Sequence, residues 1–196
     1  ASYTPPNSNQ LVQGSFDGTN CVYGSSFVGK TNPLLVNVTI PFISGKHIFQ
    51  DSLFVGQDVS INGQAAPAAG TGPTLTIAAG NTLVFQDAAD YVAVNRGSSI
   101  IADGSPTAPI TFTSFTDAIS GTAGANDVQQ WGGIIINGNG ITNNCSDAER
   151  TGNQCHVAAE GGGETHYGGS NNAESSGTLR YVIVKHTGFE VAPGDE

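Results

Sequence analysis

Short runs of alternating apolar and polar residues recur along this chain, with Gly, Asn and Asp between them. LTIAAGNTLVF (75–85) superposes on VAVNRGSSIIA (92–102) at a constant offset of 17: Leu75 falls on Val92, Ile77 on Val94, Gly80 on Gly97 and Leu83 on Ile100. Each unit predicts a short strand, a turn around the glycine and a second short strand. LFVGQDVSING (53–63) has the same cadence, and PITFTS, WGGIIINGNG and LRYVIVKHTG repeat it less regularly. A fixed period of this length is a solenoid signal. The Leu/Asn signature of leucine-rich repeats is absent. A β-sandwich also has many short strands, but hairpins have no reason to keep one offset. The pattern therefore predicts an all-β chain wound as a parallel β-helix. Each turn would contribute two or three short strands, and inward apolar side chains would stack on the next turn about 4.8 Å away. Gly and Asn suit the corners because they tolerate positive φ.

The cadence sets the expected organisation. Residues 1–33, polar and Pro/Gly-rich, predict an N-terminal arm or cap. Residues 34–196 predict the β-helix domain, with 34–50 as its first full turn and long loops near 115–130 and 142–177. Loops of that length are usually functional or disordered. Residues 179–185 alternate like one last strand, and nothing after them reads as a cap. Either further β-helix turns of a longer chain follow, or another molecule covers the open end. The second alternative predicts end-to-end self-association, because exposed strand edges template pairing and a head-to-tail contact does not close on itself.

Composition narrows the partners. Charged residues are 11% of the chain, well below the ~25% of an average domain, and the 27 glycines are about twice the usual share. Sixteen acidic residues against six basic ones give a net charge of −10. That excludes nucleic acid, whose affinity rests on Lys and Arg at phosphates, and an anionic membrane surface. No run approaches the ~18 apolar residues of a membrane span, so this segment predicts no membrane insertion. There is no Met, and Ala1-Ser2 fits either a processed, exported chain or a start imposed by recombinant expression.

Of the cysteines, Cys145 and Cys155 bracket a polar loop, CSDAERTGNQC. A disulfide closing it favours an oxidising compartment; the alternative is two free thiols. Cys21 is then left over, and its partner stays open, sequence beyond this chain being one place for it. Cys155-His156 is not a haem motif, because position 152 is Gly, and no zinc spacing is present.

Several groups invite chemistry. EGGGETHYGG (160–169) sets Glu160, Glu164 and His166 in a Gly-rich loop, which suits acid/base work or a metal held by Glu164 and His166. A solvated loop with tight glycine turns is the plainer reading. Asp87, Asp90 and Asp103 end strands one repeat apart. On a β-helix such residues can converge on Ca²⁺, with a basic residue acting on the sugar as in some β-helix polysaccharide lyases, and Arg96 is the basic residue at hand. Turn-forming Asp bonded to its own backbone is favoured over that. Tyr91, Trp131, Tyr167 and Tyr181 are candidates for a sugar-stacking face, with core packing favoured for Trp131. Asn137, Asn139, Asn143 and Asn144 read as turn residues or a hydrogen-bonded ladder. The nonapeptide calcium repeat, G-x-S-x-G, P-loop and H-E-x-x-H are all absent.

WGGIIINGNG, the Cys-containing loop after it, and YGGSNNAESSGTLRYVIVKHTGFEVAPGDE together resemble a family of large bacterial cell-surface proteins. LTIAAGNTLVF and GSPTAPITFTS resemble the same family, so the likeness covers roughly residues 45–196. It implies a right-handed parallel β-helix, export, and an extracellular or outer cell-surface address. It supplies no catalytic residues. In that family the chain continues past the equivalent of Pro193-Gly194-Asp195, and this one departs by stopping there. The expectation is thus a non-enzymatic structural or assembly protein, a filament or stalk subunit, with no cofactor. The alternative is a carbohydrate-binding or polysaccharide-lyase-like β-helix protein.

Overall fold

The structure is a computed structural model and describes residues 1–59, 64–159 and 165–190. Four short strands open the chain: β1 (Ser2–Tyr3), β2 (Val12–Gln13), β3 (Ser15–Phe16) and β4 (Cys21–Tyr23). Nine more follow: β5 (Val38–Ile40), β6 (His47–Phe49), β7 (Leu53–Val55), β8 (Thr74–Ile77), β9 (Thr82–Phe85), β10 (Tyr91–Val94), β11 (Ser99–Asp103), β12 (Ile110–Ser114) and β13 (Gly133–Ile136). After a helical turn, α1 (Asp147–Thr151), come the antiparallel pair β14 (Val157–Ala158) and β15 (His166–Tyr167), then β16 (Gly177–Arg180) and β17 (Val182–Val184).

From β5 onward the main strands visit three sheets in rotation. The first sheet runs β5-β8-β11-β16, the second holds β6-β9-β12-β17 with β4 and β3 beyond β6, and the third runs β7-β10-β13. Pairing between these strands is parallel, apart from β3 with β4. Parallel neighbours need long crossovers, and here each crossover contributes a strand to the other two sheets.

Register explains the alternation. Val38, Leu75 and Ile100 occupy one column of the first sheet, and His47, Leu83 and Phe112 one column of the second. Leu53, Val92 and Ile134 do the same in the third. All but Ile134 of these are buried. On the first sheet the alternate positions Thr39, Thr76, Ile101 and Thr178 form the outward column. The core is continuous between the sheets, and an aromatic stack passes through it. Tyr23 lies on Phe49 (4.8 Å between centroids), Phe49 on Phe85 (5.6 Å) and Phe85 on Trp131 (4.5 Å, planes 3° apart). The Trp131 Nε1–H donates to the Lys185 carbonyl at 2.6 Å. At the other end Phe27 and Tyr3 extend the stack, so part of the first 33 residues belongs to the core.

Two sequence readings change. The offset of 17 does not relate stacked neighbours: Leu75 lies beside Ile100, and Val92 beside Leu53 and Ile134. The repeat links strands two places apart in the rotation, because the same glycine corner is used between different sheets. Gly80 (φ 81°) and Gly97 (φ 79°) both sit at such corners. Residues 179–185 are not one strand. Tyr181, at φ 49°, turns the chain from β16 in the first sheet to β17 in the second. The polar loop after β12 begins with a π-helical turn, Thr116–Ser120, and Asp117 ties it down. Burial raises the Asp117 carboxyl, but hydrogen bonds from Lys185 (2.6 Å) and Thr113 (2.7 Å) outweigh this and hold it below the usual range.

Candidate functional site

The long excursion between β13 and β16 folds back on the coil, and Arg96 holds it there. Arg96 follows β10 at a corner and is 2% exposed. Its Nη1 donates to the carbonyls of Cys155 and Gly168, both at 2.7 Å. Its Nη2 donates to the Val59 carbonyl at 2.6 Å and to His156 Nδ1 at 2.8 Å. His156 therefore presents a lone pair at Nδ1, and its Nε2–H donates to the Gln64 carbonyl at 2.9 Å. Burial lowers the Arg96 pKa, while Asp58 and Glu174 act against that. A guanidinium nonetheless stays charged in a protein. Arg96 is thus spent as an internal clamp and is not the substrate-facing basic residue that the less favoured lyase-like alternative would need.

The excursion is closed by the Cys145–Cys155 disulfide, as the CSDAERTGNQC spacing suggested; Cys21 is a free, half-buried thiol. Within the closed loop Ser146 caps α1 through a reciprocal capping box with Glu149. Gly168 packs on the disulfide. At φ 104°, with a Cβ there falling 2.5 Å from Cys155 Sγ, the position accepts glycine alone. Gly168 N–H donates to the Gly138 carbonyl and Gly169 N–H to Gly140, so this segment runs beside residues 138–141. Glu174 accepts from the Asn139 N–H at 2.6 Å and Asn172 from the Ile141 N–H at 2.7 Å. On the other flank His166 donates to Asp58 through both its backbone N–H (3.0 Å) and Nδ1 (2.7 Å).

An open groove of ≈ 520 Å³ lies on this assembly, lined by Ile136, Asn137, Gly138, Gly140, Ile141, Thr142, Asn143 and Tyr167. Ile136 and Ile141 are exposed apolar side chains. The Tyr167 hydroxyl accepts from Asn144 Nδ2 at 3.2 Å, at the edge of the groove. Amide and hydroxyl groups therefore sit beside an aromatic ring and two aliphatic side chains. That lining can hydrogen-bond a hydroxylated ligand and pack against its C–H faces.

The other sequence candidates go elsewhere. Asp103 pairs with Arg180 on the first sheet at 2.5 and 2.7 Å, away from Asp87 and Asp90. Asp90 is buried and accepts from the Asp87 N–H at 3.1 Å. Burial pushes its carboxyl up to about 6; the Asp87 N–H opposes the rise, and Asp87 and Asp51 add to it. Among the described residues no group of three His, Cys, Asp or Glu is arranged to hold a metal. Glu160 and Glu164 lie outside the described residues, and the partner found for His166 is Asp58. Tyr91 is buried edge-on to Phe54, and Trp131 is in the core. Tyr181 is an exposed corner, which leaves Tyr167 as the aromatic candidate in the groove. Asn137 stands one rung from Asn95, but no hydrogen bond joins their side chains: Asn137 Nδ2 and Asn95 Oδ1 are both unpaired. Asn139 Nδ2 donates to the Pro67 carbonyl at 2.6 Å. Asp58 escaped sequence reasoning because its partner is 108 positions away.

A family model for the pectate-lyase-like β-helix domain matches residues 52–196. The chain belongs to that family. The match runs from just before β7 to the last residue and so includes the strand rotation from β7 on and the excursion that carries the groove. Among curated proteins and among solved structures, nothing matches the chain. For this pectate-lyase-like β-helix domain, the groove's own chemistry therefore carries the functional argument.

Proposed function

We propose that this β-helix protein is exported and binds carbohydrate in the groove between β13 and Tyr167, without cleaving it. The observation that carries the reading is the lining itself: Tyr167 and two isoleucines beside Asn137, Thr142 and Asn143. Sugars present both hydroxyl groups and C–H faces, and an aromatic ring next to amides answers both. Family membership is compatible with a carbohydrate ligand. Binding is favoured over cleavage because, among the described residues, no Asp, Glu, His, Lys or Arg lines the groove, and general acid/base catalysis needs such a group within hydrogen-bond reach. The disulfide suits an oxidising, extracellular setting. The strand rotation supports one closed, right-handed solenoid, since crossovers between parallel strands are right-handed in about 98% of cases.

Nothing in the fold or the family speaks for the filament or stalk role. At the β4 end the parallel ladder gives way to β3, which is antiparallel. A glycan array probed with the wild type and with Tyr167→Ala tests the proposal. Binding that falls about tenfold in the variant supports it, in line with the stacking contribution of one ring. Release of shortened product by the wild type would show cleavage and overturn the non-catalytic reading.

A further inference from the structure

We infer that the groove takes an uncharged polysaccharide and rejects polyanionic ones such as pectate. The inference rests on the reading of the groove as a sugar site and names the class of sugar.

A polyuronate brings one carboxylate per ring, and its recognition needs cations free to meet them. The chain has six basic residues against sixteen acidic ones. Four of the six are committed to internal partners. Arg96 is buried under the excursion on four acceptors. Arg180 is paired with Asp103, and Lys185 with Asp117. Arg150 touches the groove's wall through a hydrogen bond from its Nη1 to the Thr142 carbonyl, and its Nη2 is paired with Asp147. Among the described residues, the lining offers only neutral donors and acceptors. The net charge of −10 adds a long-range repulsion toward any polyanion. Neutral rings meet no such penalty. Their hydroxyls can exchange water for Asn143 and Thr142, and their C–H faces can lie against Tyr167 and Ile141.

Polygalacturonate and its fully methyl-esterified form share one backbone and differ in charge. Affinity electrophoresis and calorimetry with both polymers, and with neutral glucan, galactan and mannan, test the inference at low and at physiological salt. The expected result is binding of at least one neutral polymer, at least about tenfold tighter than polygalacturonate. Its affinity should change by under about twofold with salt, since no ion pair is screened, and Tyr167→Ala should weaken it. Asn143→Lys, at an exposed position on the rim, should raise affinity for polygalacturonate and make it salt-sensitive. Tyr167-dependent binding of polygalacturonate as tight as that of the neutral polymers would overturn the neutral-ligand inference and leave the sugar site standing. Binding of none of the polymers, or binding indifferent to Tyr167→Ala, would overturn the sugar site as well.

Discussion

The Arg96 guanidinium donates to the carbonyl of Gly168, 72 positions further along the chain, at 2.7 Å. The same group reaches Cys155 and Val59, so one side chain at a coil corner fixes both strands of the excursion. Arg96→Met leaves these acceptors buried and unpaired. The cost should be about 3 kcal/mol or more, read by urea unfolding. Amide exchange at residues 138–142 should speed up, and Arg96→Lys should restore little, since an ammonium cannot span the same acceptors.

The disulfide closes a short loop, with a sequence separation of 10. Removing it with Cys145→Ser and Cys155→Ser should cost about 2–3 kcal/mol by loop entropy. The loss should appear as a lower denaturation midpoint and as weaker ligand binding, because Gly168 packs on Cys155 Sγ. A variant of unchanged stability would mean that the excursion is held without it.

Trp131 closes the aromatic stack on Phe85. Trp131→Ala should destabilise the fold by about 3–5 kcal/mol. Trp131→Phe should cost less, retaining the stacking but losing the bond to Lys185. Calorimetric melting distinguishes the two.

Asp90 supplies a pH signature. Its folded pKa of about 6 lies above the unfolded value of 3.8, so the folded state binds the extra proton. Stability from this group is present at low pH and falls as pH rises from about 4 through 6. Asp90→Asn keeps an acceptor for the Asp87 N–H and removes the buried charge. It should raise stability at pH 7 by about 2 kcal/mol and change it little near pH 4. Equal effects at both pH values would contradict the assignment.

How much of this was legible in the sequence varies with the range of the interaction. Strand positions were, because Leu75 and Ile77 alternate with threonines, and Val92 and Val94 sit in a short apolar run bounded by turn residues, whatever they pack against. The stacking partners were not. A repeated glycine corner gives the same local pattern between any two sheets, so Leu75 matched Val92 in sequence while lying beside Ile100 in space. The Cys145–Cys155 closure was legible because it is local. The corner at Tyr181 was hidden, since a non-glycine residue at positive φ carries no local signal. The groove was only partly visible: Tyr167 and Asn143 were candidates, but their meeting depends on Arg96, Asp58 and Glu174, far apart in sequence.

The most direct measurement is a residue-resolved NMR titration of the protein with a neutral oligosaccharide that it binds. The account predicts shift changes at the amides of residues 136–143 and at Tyr167. Changes confined to the flat outward column of Thr39, Thr76, Ile101 and Thr178 would place the ligand on another face and contradict it.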